Sequence, residues 1–540
     1  MLSTTVFSIP LELLCDVFGL LAEEAREKWI KHLKLKEVTS LVSWSAYESH
    51  APGETSRSGY MRWRMDYVPP PPLPYAWMRI THVCRAWRIA ALSDPRLWTH
   101  IAIVRREAVE TMVYRTAGLP LTVSFRTGSN EERAETFRQL LHTHPRQIGT
   151  LVMPFIAKYL TASLAVSMPC LRTLLFVEFM PSDQTICPAE ASSMFTALER
   201  LESVAALRFP ITCLCTSALK SLVLVHGFPG ARFESQYLPT IEKLTHSLAR
   251  SPHLEYLEVI LSNTMPHPQA AVALPRLRTL RLTALTKVCA AALRSFRIPQ
   301  TAKLVLKCLS PLDFPIERDW SVISAAVSQI VTTPPNVRSL QFAPVVCIDA
   351  AIFPSMYKLR GWRTARSLLG SEEADRIPAD VELTIDVPSH VEDIVEVLAP
   401  LTLPDVQIYR QGFLFTHDVG RASFDFAYAL CTMPQLRHLT INCAQAALQC
   451  ELLHATSAQS VALVATNLQD KNELKTEEWM KHCLYYTGTF QDVVDICRKR
   501  GRDGRPLREL VLCDANSVAH DGVAELEEVV QYVVCTSCSY

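Results

Sequence analysis

What this sequence lacks first of all is a surplus of charge. Its Lys+Arg and Asp+Glu counts are both 54 across 540 residues, so no global field draws the chain to nucleic acid or an anionic membrane surface. Recognition has to be local. Also missing is any run approaching the roughly twenty apolar residues that cross a bilayer. The largely apolar stretch from Leu11 to Leu21 is interrupted by Glu12 and Asp16 and has no basic segment before it, which excludes a secretory signal. The expected location is therefore cytoplasmic and/or nuclear. The sequence has no Gly-rich phosphate loop, no Gly-x-Ser-x-Gly elbow and no His-Glu-x-x-His pair, so the common phosphate-binding, acyl-transfer and metalloprotease signatures are excluded. Its 16 histidines are scattered, and His142 and His144 read as solvated loop residues. We expect no enzyme activity, no catalytic residues, no metal site and no cofactor. An active site assembled from distant residues would show itself as a deep pocket lined by perturbed titratable groups.

What is present is material for a large core. Apolar residues make up 49% and charged residues 20% of the chain, which argues against extensive disorder. The 17 cysteines read as reduced, mostly buried small hydrophobes rather than a disulfide framework. Two N-terminal stretches are the most informative. In the first, Pro10 suits an opening helical turn, Glu12 suits the positive end of the helix dipole, and Leu14, Val17, Phe18 and Leu21 form one apolar stripe. In the second, Ile80, Val83, Cys84, Trp87, Ala90 and Ala91 repeat the helical spacing, and Ser93-Asp94-Pro95 stops that helix before Leu97-Trp98.

Ile9-Pro10, Glu12, Val17-Phe18, Val83-Cys84, Trp87 and Leu97-Trp98 occur in the order and with the identities of an F-box. The chain resembles the F-box proteins, in the variant abundant in mushroom-forming (basidiomycete) fungi, where a charged and then proline-rich segment, here about residues 22–75, separates the two halves. That resemblance implies a substrate receptor of a Skp–cullin–F-box type ubiquitin ligase. Pro10, Leu14, Val17, Phe18, Val83 and Trp87 would then meet a Skp-type adaptor, and through it a cullin-RING ligase. The chain would also hold an unknown protein target, with no membrane and no nucleic-acid partner.

Beyond Trp98 one pattern returns: Pro, two residues, an apolar position, Leu, and an apolar position two further on. Its clearest copies start at Pro169 (Leu174, Phe176), Pro252 (Leu257, Val259), Pro275 (Leu280, Leu282) and Pro434 (Leu439, Ile441). Looser copies follow Pro299 (Leu304, Leu306), Pro335 (Leu340, Phe342) and Pro378 (Val381, Leu383, Ile385), while Leu219-Leu222-Leu224 and Leu507-Leu510-Leu512 keep only the leucines. Leu-x-Leu has the period of a strand with one buried face, and helical patterns such as Ile241 to Leu248 lie between. The intervals from Pro252 to Pro275 and from Pro275 to Pro299 fall inside the leucine-rich-repeat range of about 20 to 29 residues. The whole resembles a degenerate leucine-rich-repeat solenoid with insertions.

The fold class expected is therefore α/β, a small all-α F-box followed by an irregular leucine-rich-repeat-like solenoid with a parallel sheet. Residues 1–101 would form the interrupted F-box, 102–515 the solenoid, and 516–540 a capping helix, about Gly522 to Val534, with a tail. An ordinary α/β domain, or a repeat scaffold without a ligase role, is the alternative. Lesser features read more plainly. Cys535 and Cys538 suit a flexible tail and Cys213 and Cys215 a strand edge. The basic run from Arg498 to Arg505 suits a solvated loop, and the prolines at 69–74 a stiff polyproline spacer.

Overall fold

The computed structural model describes residues 10–42, 75–125, 131–155, 168–179, 200–207, 215–226, 241–261, 271–299, 301–309, 347–353, 356–363, 379–386, 406–413, 433–442, 453, 456–464, 490–513 and 520–536. The polyproline stretch, the copy after Pro335, Cys213 and Cys538 lie outside them. The chain is mixed α/β and divides into two compact units, Met1–Phe228 and Pro229–Tyr540, each with a mostly parallel sheet.

The first unit opens with helix α1 (Leu11–Val42), a 3-10 turn (Ala76–His82), helix α2 (Arg85–Ser93) and a second 3-10 turn (Pro95–Trp98). Strands β1 (His100–Ala102), β2 (Leu121–Ser124), β3 (Ile148–Phe155), β4 (Thr173–Phe179), β5 (Ser203–Leu207) and β6 (Ser221–His226) follow, with α3 (Arg106–Arg115) after β1 and α4 (Glu131–Thr143) after β2. Each strand lies parallel beside its predecessor. One row of register runs Ile101, Val123, Leu151, Leu174, Val204, Leu222, and all six are wholly buried. Burying each aliphatic side chain contributes about 1.5–3 kcal/mol, so this row is the spine of the unit.

The second unit begins with α5 (Ile241–Leu248), where the sequence shows a helical pattern, then β7 (Tyr256–Leu261), β8 (Val272–Ala273), β9 (Thr279–Leu285), α6 (Thr286–Ser295), β10 (Phe296–Arg297) and β11 (Lys303–Leu309). Next come β12 (Cys347–Phe353), β13 (Met356–Trp362), β14 (Val381–Asp386), β15 (Ile408–Phe413), β16 (His438–Asn442), β17 (Ser460–Val464), α7 (Phe490–Arg502), β18 (Glu509–Cys513), α8 (His520–Glu527) and β19 (Tyr532–Thr536). The repeated proline acquires a specific role. In each clear copy the carbonyl before it accepts from the amide of the leucine two residues after it: Met168 from Leu171, Ser251 from Leu254, Leu274 from Leu277 and Met433 from Leu436. That is a β-turn with proline at its second position, where the fixed φ of the ring is already suited. The turn delivers a buried leucine and, three residues later, the first buried leucine of the strand.

Two departures from a sequential parallel array follow from the chain's own spacing. The order at the middle of the sheet is β11, β14, β13, β12, β15. Phe353 pairs with Met356, so only two residues join β12 to β13, far fewer than the dozen or more a parallel crossover needs, and β13 is antiparallel to both its neighbours. At the end of the chain, the helix expected from Gly522 to Val534 stops at Glu527, and Tyr532–Thr536 re-enters the sheet beside β18. The β-branched Val529, Val530, Val533 and Val534 favour the extended state. Cys535 thus sits on a strand, in register with Leu512, rather than in a tail.

Candidate functional site

The N-terminal stripe of α1 divides in two. Leu14 and Phe18 are buried, Phe18 completely, whereas Val17 and Leu21 face solvent together with Leu13 and Leu20. Pro10 is exposed, and its carbonyl accepts from Leu14 N at 3.0 Å to open the helix. The helix continues past Leu21 to Val42, so the first half of the motif is the start of a long helix.

The second half is not one helix, as its spacing predicts, but two short ones. A 3-10 turn ends at His82, and Cys84 is extended, its Sγ accepting from Trp87 N at 3.4 Å to cap α2. The break turns Val83 outward, where it is 61% exposed, and Trp87 inward to a half-buried position. There the Trp87 ring meets Phe18 edge-on, with centroids 5.2 Å apart. Asp94 ends α2, its carboxylate accepting from Arg96 N at 3.0 Å to begin the next turn. The Arg96 guanidinium reaches both Asp94, at 2.9 Å, and Asp16 of α1, at 3.3 Å. These partners hold it protonated well above the ordinary guanidinium range, Asp94 contributing most.

Below this junction, Trp77 and Trp98 pack edge-on at 5.2 Å, and Trp98 Nε1 donates to Ala91 O at 3.0 Å. Arg115 of α3 lies 4.4 Å from the Trp98 ring centre. Tyr75 donates its hydroxyl to Ala102 O and accepts from Ala102 N at 2.6 Å, which ties the segment to β1. Burial drives the Tyr75 phenol above its usual range, outweighing the lowering effect of the hydrogen bond to the Ala102 backbone. The second half of the motif is thereby welded to the parallel sheet of its unit.

Of the six expected contact residues, Leu14 and Phe18 therefore lie behind the surface, Trp87 lies at it, and Pro10, Val17 and Val83 are on it. Sequence reasoning missed Leu13, Leu20, Ile89 and Leu92, all exposed. Eight of the twelve large exposed hydrophobics among the described residues lie between Leu11 and Leu92, more than single scattered side chains would give. A signal was available: α1 is apolar around more of its circumference than a one-sided surface helix needs.

Other candidates resolve differently. Of the basic run, Arg498 to Arg502 form the last turn of α7 and only the residues through Arg505 that follow are a loop, and Arg500 is 1% exposed rather than solvated. Its Nη1 donates to Leu453 O and Thr456 O, its Nη2 to Ala458 O, all at 2.7 Å, and its Nε to Arg505 O at 3.2 Å. Gly504, at φ +72°, ends the helix, with Arg505 N donating to Arg500 O and Gly504 N to Gly501 O, the Schellman arrangement. Cys215 is buried ahead of the turn into β6 rather than on a strand. His142 lies in the last turn of α4, exposed, and His144 just beyond the helix, half-buried. A cleft of about 340 Å³ in the first unit is lined by Gly19, Glu23, Trp77, Arg96, His100 and Leu119 among others. In it, Arg96 is held by its two carboxylates and His100 Nε2 is 3.3 Å from Ser124 Oγ. No group of three or more potential metal ligands occurs among the described residues, and no described helix is long and apolar enough to cross a membrane.

Neither family models nor curated protein sequences yield any match to this chain.

Proposed function

We propose that this chain is the substrate-recognition (F-box) subunit of a Skp–cullin–F-box type ubiquitin ligase, acting in the cytoplasm and/or nucleus. In this reading it has no catalytic residues of its own. The N-terminal helices bind the adaptor, and the parallel sheets, read as degenerate leucine-rich repeats, hold a protein target.

One observation carries the reading: the two halves of the interrupted motif are joined by Phe18 against Trp87 and by Asp16 to Arg96. On α1, on α2 and at the break just before α2 this junction leaves Leu13, Val17, Leu20, Val83, Ile89 and Leu92 uncovered. Exposed apolar side chains on adjoining helices are what a helix-in-groove contact consumes, and a few such anchors dominate the affinity of an interface. Co-purification of the full chain with a recombinant Skp-type adaptor tests it. A stable complex is expected, and Val17→Glu with Val83→Glu is expected to disrupt it while the circular-dichroism melt is unchanged. A folded wild-type chain that leaves the adaptor unbound removes the ligase assignment and leaves a repeat scaffold.

A further inference from the structure

The polar face of the sheet in the second unit has its own charge pattern. Along β7, β9 and β11 the buried and outward positions alternate. Leu257, Val259, Leu280, Leu282, Leu304 and Leu306 point into the core, while Tyr256, Glu258, Arg281, Lys303, Val305 and Lys307 lie on the other face, half-buried or exposed. The same face continues through Glu382 and Thr384 on β14 and Lys358 and Arg360 on β13. It closes farther on: Arg410, Thr440 and Ala462, the successors on β15, β16 and β17, are buried.

On the open five strands the charges are Arg281, Lys303, Lys307, Lys358 and Arg360 against Glu258, Glu382 and, at the end of β14 beside Met356, Asp386. Glu258 and Glu382 are engaged. Glu258 accepts the Tyr256 hydroxyl at 2.5 Å and Glu382 lies 3.1 Å from Lys358 Nζ. At the strand entrances, Glu255 is matched by Arg278, and Asp380 accepts from Arg363 N. Arg360 lies against the Trp362 ring. No carboxylate among the described residues forms an ion pair with Arg281, Lys303 or Lys307, so the face keeps a local positive excess in a chain of zero net charge.

The spacing of these three cations is regular. Lys303 and Lys307 are four residues apart on one strand, about 13 Å. Arg281 is in register with Val305, midway between them on the adjoining strand. An extended peptide lying along the strands presents its first, third and fifth side chains on one side over the same length. Val305 and Ile260, both half-buried, give such a peptide an apolar floor. Three cations spread over this distance suit separate carboxylates better than one compact anion. We propose that this face binds an extended acidic peptide with Asp or Glu at alternate positions, the central acid facing Arg281 and the outer two facing Lys303 and Lys307.

This inference rests on the proposed function only in calling the peptide part of a target, and adaptor binding is measured on the same preparation, so each can fail alone. The probe is a fluorescein-labelled octapeptide alternating glutamate with serine, titrated by anisotropy with the full-length chain. Saturable binding that weakens with added NaCl is expected, since exposed charges are screened. Lys303→Ala with Lys307→Ala is expected to weaken it about tenfold or more, and Arg281→Ala to weaken it as well, while Lys303→Arg with Lys307→Arg retains it. Should the double alanine variant fail to fold, Lys303→Gln and Lys307→Gln made singly serve instead, since each keeps the long apolar stem. A peptide with the same glutamates in one block is expected to bind more weakly. Absent binding, binding indifferent to these variants, or equal binding of the blocked peptide overturns the proposal. So does tighter binding of a peptide whose only anion is phosphoserine, which would make the face a phosphate site.

Discussion

The Phe18 ring meets the Trp87 ring edge-on at 61° and 5.2 Å, across the whole segment that interrupts the N-terminal motif. One partner is wholly buried and the other half-buried, so the pair divides its work. Phe18 holds α1 against α2, and Trp87 reaches the surface they create. Phe18→Ala is expected to cost about 3–5 kcal/mol, the usual range for emptying a buried aromatic site. Urea unfolding followed by tryptophan fluorescence measures it. A cost near zero would mean that α1 is not anchored through this ring.

Leu280 and Arg281 are neighbours in β9 on opposite faces, one fully buried and the other exposed. Leu280→Ala is expected to destabilise by about 2–5 kcal/mol and Arg281→Ala by no more than about 0.5 kcal/mol. Equal costs in thermal melts of the two variants would contradict the register of this sheet.

Arg500 ties α7 to the carbonyls of Leu453, Thr456 and Ala458, with a fourth bond to Arg505 O. Arg500→Met leaves those carbonyls without their donors and is expected to cost about 3 kcal/mol or more. Arg500→Lys does not restore stability, because a single ammonium cannot reproduce the planar fork. Full rescue by lysine in denaturant titrations would show that charge alone, rather than geometry, matters there.

Cys497 lies one turn before that arginine, buried, and desolvation pushes its thiol up to about 11, against a smaller opposing effect of Arg500. The thiol stays protonated in the folded chain at pH values where an unfolded one ionises. Its stabilising contribution is therefore complete below about pH 9 and is lost as pH rises toward 11. Iodoacetamide at pH 8.5, about the pKa of a free cysteine, is expected to spare Cys497 until denaturant is added, as read by peptide mass spectrometry. Prompt native labelling would place the thiol at the surface.

Much of the strand placement was legible because its signals are local. A proline, a leucine two residues later and an alternating pair specify a turn and a short strand without reference to distant residues, and β4, β7, β9 and β16 follow those copies, with β11 and β14 following looser ones. What escaped depends on partners far along the chain. Nothing near Arg500 announces the carbonyls of Leu453, Thr456 and Ala458 that receive it. The stripe on α1 did not announce its division into buried Leu14 and Phe18 and exposed Val17 and Leu21, because Phe18 packs on Trp87, which lies far along the chain. The break at Cys84 depends on a thiol acting as a helix cap, a role usually filled by Ser, Thr, Asp or Asn. The final valines fit both a helical and an extended spacing, and the edge offered by β18 decides between them.

The reversed order of β12, β13 and β14 bears on how the second unit is assembled in time. From β7 to β11, and again from β15 to β19, a new strand of the sheet settles against one already made, so each connection closes directly onto a finished edge. At Leu309 that succession stops, because the neighbour of β11 is β14, and the intervening chain through Trp362 must be in place first. Closing a long loop before its contacts reward it slows folding. During synthesis the far edge of β11 therefore waits, with its backbone amides and carbonyls unpaired, until residues through Asp386 have been made. An unpaired edge is the feature through which chains aggregate, which makes this interval the moment when the nascent protein most needs shielding.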